Sequence, residues 1–192
     1  MITLFLTVSI LSQIFWLFPA VRQFKTDLFF YFLILAIMDP LVNVARLSPI
    51  AIIYNTYVIL SFLILLMFIY INMKKIYFFV AAFLSLVLVI FSFYLGITYC
   101  YDLLIISHTC ILFFLIRRAL FFVAANRKVN IFQLVLILYE TSIIMKLLAF
   151  LTNAEVGQLY FLITTIFEIF IAVFFIIFKE DNQKLLLSIK NI

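Results

Sequence analysis

Seven runs of apolar residues, each close to the length of a membrane crossing, alternate along the chain with short polar or charged breaks. They fall at about 2–21, 28–46, 50–73, 76–97, 100–124, 130–151 and 156–178. A bilayer core takes about 20 helical residues. Strands of a barrel would show short alternating segments instead, so helix is the conformation expected throughout. The pattern predicts an all-α, polytopic membrane bundle of seven transmembrane helices forming one domain over residues 1–192, with 179–192 as a short cytoplasmic tail. The breaks carry local signals. Ser48 and Pro49 suit the cap and first turn of the third span, and Asn72, Asn126 and Asn153 stand at span ends.

The charged positions orient the bundle. Arg22, Lys25, Lys74, Lys75, Arg117, Arg118, Arg127, Lys128, Lys179, Lys184 and Lys190 occupy alternate connections and account for 11 of the 13 basic residues. The opposite connections hold Arg46, Asp102 and Glu155, and Lys146 lies inside the sixth span. Basic loops stay cytoplasmic, which predicts the N-terminus outside and the C-terminus inside. Arg117, Arg118, Arg127 and Lys128 are then cytoplasmic anchors or partner contacts. Arg117 and Arg118 either snorkel to the inner headgroups or mark a bend that lays Ala119–Ala124 along the interface. The ending KLLLSIKNI is too short to span and is expected on the inner surface.

Composition agrees. The chain is 69% hydrophobic and 11% charged, with a mean hydropathy of +1.38. Soluble domains carry about 25% charged residues. The net charge of +5 therefore reflects loop topology and not nucleic-acid affinity. The first span lacks the basic n-region and cleavage site of a signal peptide and reads as a retained helix. Cys100 and Cys110 lie in one helix, about 15 Å apart at 1.5 Å per residue, too far to bridge.

The candidate chemistry lies in polar residues inside the spans. In FFYFLILAIMDPLVNVAR (29–46), Asp39, Asn43 and Arg46 share one helical face, and Pro40 frees the carbonyl of Ala36. His108, Glu140, Lys146 and Glu168 are the other titratable groups within spans. Counting from helix ends places Asp39, His108 and Lys146 about 8–12 Å below the outer surface, and Glu140 and Glu168 about 15–18 Å deep. Two layers are expected. The outer one holds Asp39, Asn43, His108 and Lys146, with Arg46, Tyr54 and Asn55 at its mouth; the central one holds Glu140 and Glu168. Ionisable residues in a membrane usually mark a ligand or proton pathway. The plainer reading is structural: Asp39 pairs with Lys146 or Arg46, and hydrogen-bonded glutamates hold helices together.

A metal or other cofactor is not expected, because His108 has no second histidine or suitably spaced carboxylate. Glu140-Thr141-Ser142 places hydroxyls near an acid without the histidine spacing of a nucleophilic triad, so no catalytic residue is assigned. Gly96 and Gly157 are the only glycines, and bulky Phe, Leu and Ile surfaces weigh against a fast alternating-access carrier.

Tyr54-Asn55-Thr56-Tyr57, the run YFLITTIFE from Tyr160 to Glu168, and the acid near the end of the second span resemble small uncharacterised seven-helix inner-membrane proteins of low-GC Gram-negative bacteria. Ser61 or Phe62 stands where an acid would be expected in the third span. The resemblance implies a bacterial inner-membrane address and no known activity. Spans 1–3 and 5–7, linked by span four, also resemble the SWEET sugar transporters in outline. Their Pro-Gln signature is missing, since Pro19, Pro40 and Pro49 precede Ala, Leu and Ile. The sequence-based expectation is a non-enzymatic protein working through a membrane-protein partner or homo-oligomer, as a sensor or accessory subunit. A proton-coupled or small-solute transporter using Asp39, Glu140 and Glu168 is the alternative, and an intramembrane enzyme the third reading.

Overall fold

The computed structural model describes residues 2–45, 50–152 and 157–188. Its helices are α1 (Ile2–Arg22), α2 (Phe29–Ala45), α3 (Ile50–Asn72), α4 (Lys75–Ser92), α5 (Gly96–Asn126), α6 (Ile131–Leu151) and α7 (Gly157–Ile177). Helices α3 to α7 are long and apolar enough to cross a membrane, while the apolar stretches Thr7–Arg22 and Phe29–Ala45 are shorter. This is the architecture of a multi-pass membrane protein.

The packing order closes a ring. α1 packs on α2, α2 on α3, α3 on α5, α5 on α6, α6 on α7 and α7 back on α1. α4 stands outside, against α3 with a lighter contact to α5. Its buried residues are Ser85 and Ser92, while Phe79 and Phe83 face outward at 69% and 67% exposure. That inversion of the soluble pattern suits lipid, which solvates apolar side chains and leaves polar ones to the protein.

Aromatic rings fill the ring of helices. Phe32 of α2 lies 4.9 Å from Phe175 of α7, and Phe132 of α6 is the same distance from Phe175. All three are fully buried. Trp16 of α1 reaches Tyr139 of α6, ring centroids 4.4 Å apart. Edge-to-face and tilted pairs of this kind add attraction beyond simple packing.

Two boundaries differ from the hydropathy reading. α4 stops at Ser92 and α5 starts at Gly96, where a continuous run to 97 and a start at 100 were expected. Gly96 has φ +73°, a left-handed conformation that turns the chain and that hydropathy does not register. α5 then runs to Asn126 without a break after Arg118, about 46 Å at 1.5 Å per residue. Arg127, in the left-handed region at φ 51°, ends it.

The tail carries structure that hydropathy does not register. After a 3-10 turn, Gln183–Leu185, strand β2 (Leu186–Ser188) pairs antiparallel with β1 (Lys128–Asn130). Leu185 is buried. The segment folds back onto the protein because these backbone groups find partners there. Arg46, Ser48, Pro49, Asn153, Glu155 and Lys190 lie outside the described residues.

Candidate functional site

Polar groups form three sets along the bundle. The middle set centres on Glu140, which is fully buried on α6. Its Oε1 accepts from the Tyr31 hydroxyl of α2 at 2.5 Å, and its Oε2 lies 2.8 Å from Nδ1 of His108 on α5. Tyr31 is fully buried and His108 nearly so. Immediately before His108, Ser107 hydrogen-bonds both Ser61 of α3 and the carbonyl of Leu104. One carboxylate thus ties α2, α5 and α6 together, and the hydroxyl pair adds α3.

The second set joins α6 to α7. Lys146 Nζ sits 3.1 and 3.0 Å from the two oxygens of Glu168 and 3.4 Å from Oγ1 of Thr165. It also lies 4.2 Å from the centre of the Phe161 ring. A carboxylate and an aromatic face are both attractive neighbours for an ammonium group. Asp39 of α2 accepts from the Tyr57 hydroxyl of α3 at 3.1 Å, and Asn43 donates to Gln13 of α1 at 2.9 Å.

The third set lies at the end where most basic residues gather. Arg118 reaches Glu180 at 2.6 Å and Asp27 at 3.1 Å, and Glu180 also accepts from the backbone N–H of Leu28 at 3.2 Å. Gln23, fully buried, donates to the carbonyls of Phe175 and Phe178 and accepts from the N–H of Glu180. Here the side chain of Gln23 satisfies backbone groups that the end of α7 leaves without helical partners. Burial raises the pKa of Glu180 above the ordinary carboxylate value, with Arg118 and the Leu28 N–H opposing that shift and Asp27 adding to it.

Several expectations need correction. The salt bridge of Lys146 is to Glu168, and not to Asp39, because α6 packs on α7 while the Asp39 hydrogen bond is made across the α2–α3 contact. His108 belongs with Glu140 and not to an outer layer, and Glu168 belongs with Lys146 and not beside Glu140. Asn55 is buried and accepts from Ser92 at 2.9 Å and from the Cys100 thiol at 3.4 Å, so it fastens α3 to α4 and α5 instead of lining a mouth. Tyr54 packs its ring on Tyr101 at 5.4 Å. Arg118 is held within the chain, Arg117 lies against the ring of Phe121, and Lys128 is in β1.

Tyr31, Tyr57, Ser61, Ser107, Gln23 and Glu180 were not legible as members of these sets. Tyr31 carried one signal, a hydroxyl two helical turns before Asp39 in an otherwise apolar run. Among the described residues no group of three or more His, Cys, Asp or Glu side chains is placed to hold a metal. Glu140 stands between a hydroxyl and an imidazole; in a nucleophilic triad the imidazole stands in the middle. No family model, curated protein or solved structure matches the chain.

Proposed function

We propose that this chain is a proton-coupled membrane carrier for protons or a small solute, with Glu140 as the group that takes up and releases the proton. The supporting observation is the buried cluster Tyr31–Glu140–His108, in which one carboxylate contacts an O–H donor and an imidazole. The imidazole is within reach to pass a proton to or from the carboxylate, while the Tyr31 hydroxyl holds the carboxylate by donating a hydrogen bond to its other oxygen. A change of charge at Glu140 alters contacts of α2, α5 and α6 together, which couples protonation to helix packing. The ring supports the same reading. Runs α1–α2–α3 and α5–α6–α7 meet through α3–α5 and α7–α1, an arrangement unchanged when the runs are exchanged. Carriers are often built from such 3+1+3 repeats, with sites where the repeats meet. We take all seven helices as spans, N-terminus outside, because most of the basic residues gather at one end.

The experiment is reconstitution of the purified chain in liposomes containing a pH-reporting dye, with a potassium-diffusion potential imposed. Proton entry that disappears in Glu140→Gln supports the reading. Entry equal to that of empty liposomes, or unchanged in the variant, overturns it.

A second reading, action through a membrane partner as sensor or accessory subunit, draws support from α4. That helix lies outside the ring and exposes Phe79, Phe83 and Leu86. A stable complex recovered in mild detergent, lost when these three are changed to alanine, would favour it.

A further inference from the structure

Helices α3, α4 and α5 are each long and apolar enough to cross a membrane, and α4 packs on α3 with only a lighter contact to α5. The gap this leaves is an apolar groove of about 450 Å³, lined among others by Ile69 of α3, Val80 and Leu84 of α4, and Cys110 and Phe113 of α5. It opens outward, since Val80 is 53% exposed and Phe113 61%. Lipid chains are as apolar as this lining and fill such a groove in a bilayer. Its basic end is more particular. On α4 the groove ends at Tyr77, and Lys74, three residues earlier, is the exposed N-cap residue. On α5 it ends at Phe113 and Phe114, and Arg117 follows Phe113 by four residues, on the same face one turn nearer the basic end. The Arg117 guanidinium lies 5.3 Å from the ring centre of Phe121, a further turn in that direction. The two cations therefore flank the mouth of the groove. Neither forms an ion pair among the described residues, and the carboxylates at this end have other partners: Asp27 and Glu180 pair with Arg118, and Asp181 with Lys179.

We propose that the α3–α4–α5 groove binds an anionic phospholipid, with one acyl chain in the groove and the phosphate-bearing headgroup held between Lys74 and Arg117. The apolar lining matches the chain, and two cations without carboxylate partners match a headgroup of net negative charge. Basic pockets between membrane helices take anionic headgroups in this way. A zwitterionic headgroup would bring a third cation to the mouth, where no carboxylate is paired with either of the first two among the described residues. The volume of the groove falls in the usual range for small-molecule sites. Tyr77, Val80, Ala81 and Leu84 lie on the opposite side of α4 from Phe79, Phe83 and Leu86. The site is therefore separate from the α4 surface offered above to a protein partner, and it does not depend on the carrier reading.

The test titrates the purified full chain in detergent with phosphatidylglycerol, phosphatidylcholine of the same acyl chains, and glycerol phosphate, reading thermal unfolding. Phosphatidylglycerol is expected to stabilise the wild type at roughly thirtyfold lower concentration than phosphatidylcholine, the value of two cations at the membrane surface. Lys74→Gln or Arg117→Gln alone should reduce that preference by roughly fivefold, and the double variant should abolish it. Lys25→Gln/Lys128→Gln, which removes as much charge at the same end but outside the groove, should leave it intact. Val80→Trp, or Leu84→Phe if the first variant folds poorly, fills the groove and should abolish stabilisation by phosphatidylglycerol with both cations still present. Equal responses to the two lipids, a preference lost equally in the Lys25/Lys128 control, or a response that survives in the filled groove would overturn the proposal. So would stabilisation by glycerol phosphate matching that by the lipid, since the occupant would then be a soluble anion.

Discussion

Nδ1 of His108 and Oε2 of Glu140 lie 2.8 Å apart in the interior, joining α5 to α6 through two residues that have almost no exposed surface. Tyr31 caps the other carboxylate oxygen. The three side chains act as a unit, so removing the centre strands both ends. Glu140→Ala should cost about 1–3 kcal/mol for each of the two groups left without a partner. Glu140→Gln retains an acceptor oxygen for Tyr31 and should cost less. Thermal unfolding in detergent should therefore rank wild type above Gln and Gln above Ala.

Lys146 and Glu168 form the partly buried pair that ties α6 to α7. Removing one partner leaves an uncompensated charge, while removing both leaves none. The costs of Glu168→Leu and Lys146→Met measured singly should therefore sum to more than the cost of the double variant. A double-mutant cycle for Lys146 and Glu168 should give a larger coupling energy than the same cycle for Lys146 and Asp39. The reverse order would restore the pairing that helix depth alone suggested.

Glu180 supplies a pH signature. Burial holds its folded pKa above the ordinary carboxylate value. The folded state therefore binds this proton more tightly than the unfolded state, and the resulting stabilisation is complete below the unfolded value. It is lost as pH rises through the raised folded value. Comparing thermal stability against pH for wild type and Glu180→Gln should show that this fall, beginning near the ordinary glutamate range, is missing in the variant.

The ring and its outlier should respond differently to truncation. Phe175 is fully buried against Phe32 and Phe132, so Phe175→Ala should cost about 3–5 kcal/mol, as deletion of a core aromatic does. Phe83→Ala on α4 removes a side chain that is 67% exposed and should change stability by less than about 0.5 kcal/mol. Unfolding transitions of the two variants check both values.

The helical, membrane-type fold was legible because hydropathy over windows of about 20 residues is a strong signal. The ends of α4 and α5 were less so, since one glycine with positive φ moved the boundary. His108, Glu140 and Glu168 are buried, whereas depth counting could not choose their partners. Depth specifies position along the bundle axis and says nothing about azimuth or neighbours. Lys146 and Asp39 counted to similar depths, yet the salt bridge of Lys146 is across α6–α7. Tyr31 escaped notice because a single tyrosine in a Phe-rich helix has many ordinary uses. Gln23 and Glu180 escaped because they act on backbone groups more than 150 residues away in the chain.

Proton flux through the purified chain tests the central claim most directly. Wild type, Glu140→Gln and Glu180→Gln are reconstituted at equal protein density, with folding of each checked by gel filtration. Dye-reported proton entry under an imposed potential is expected in wild type and Glu180→Gln and reduced to the level of empty liposomes in Glu140→Gln. Equal entry in all three proteins, or none in the wild type, would contradict a proton-carrying role for the Tyr31–Glu140–His108 cluster.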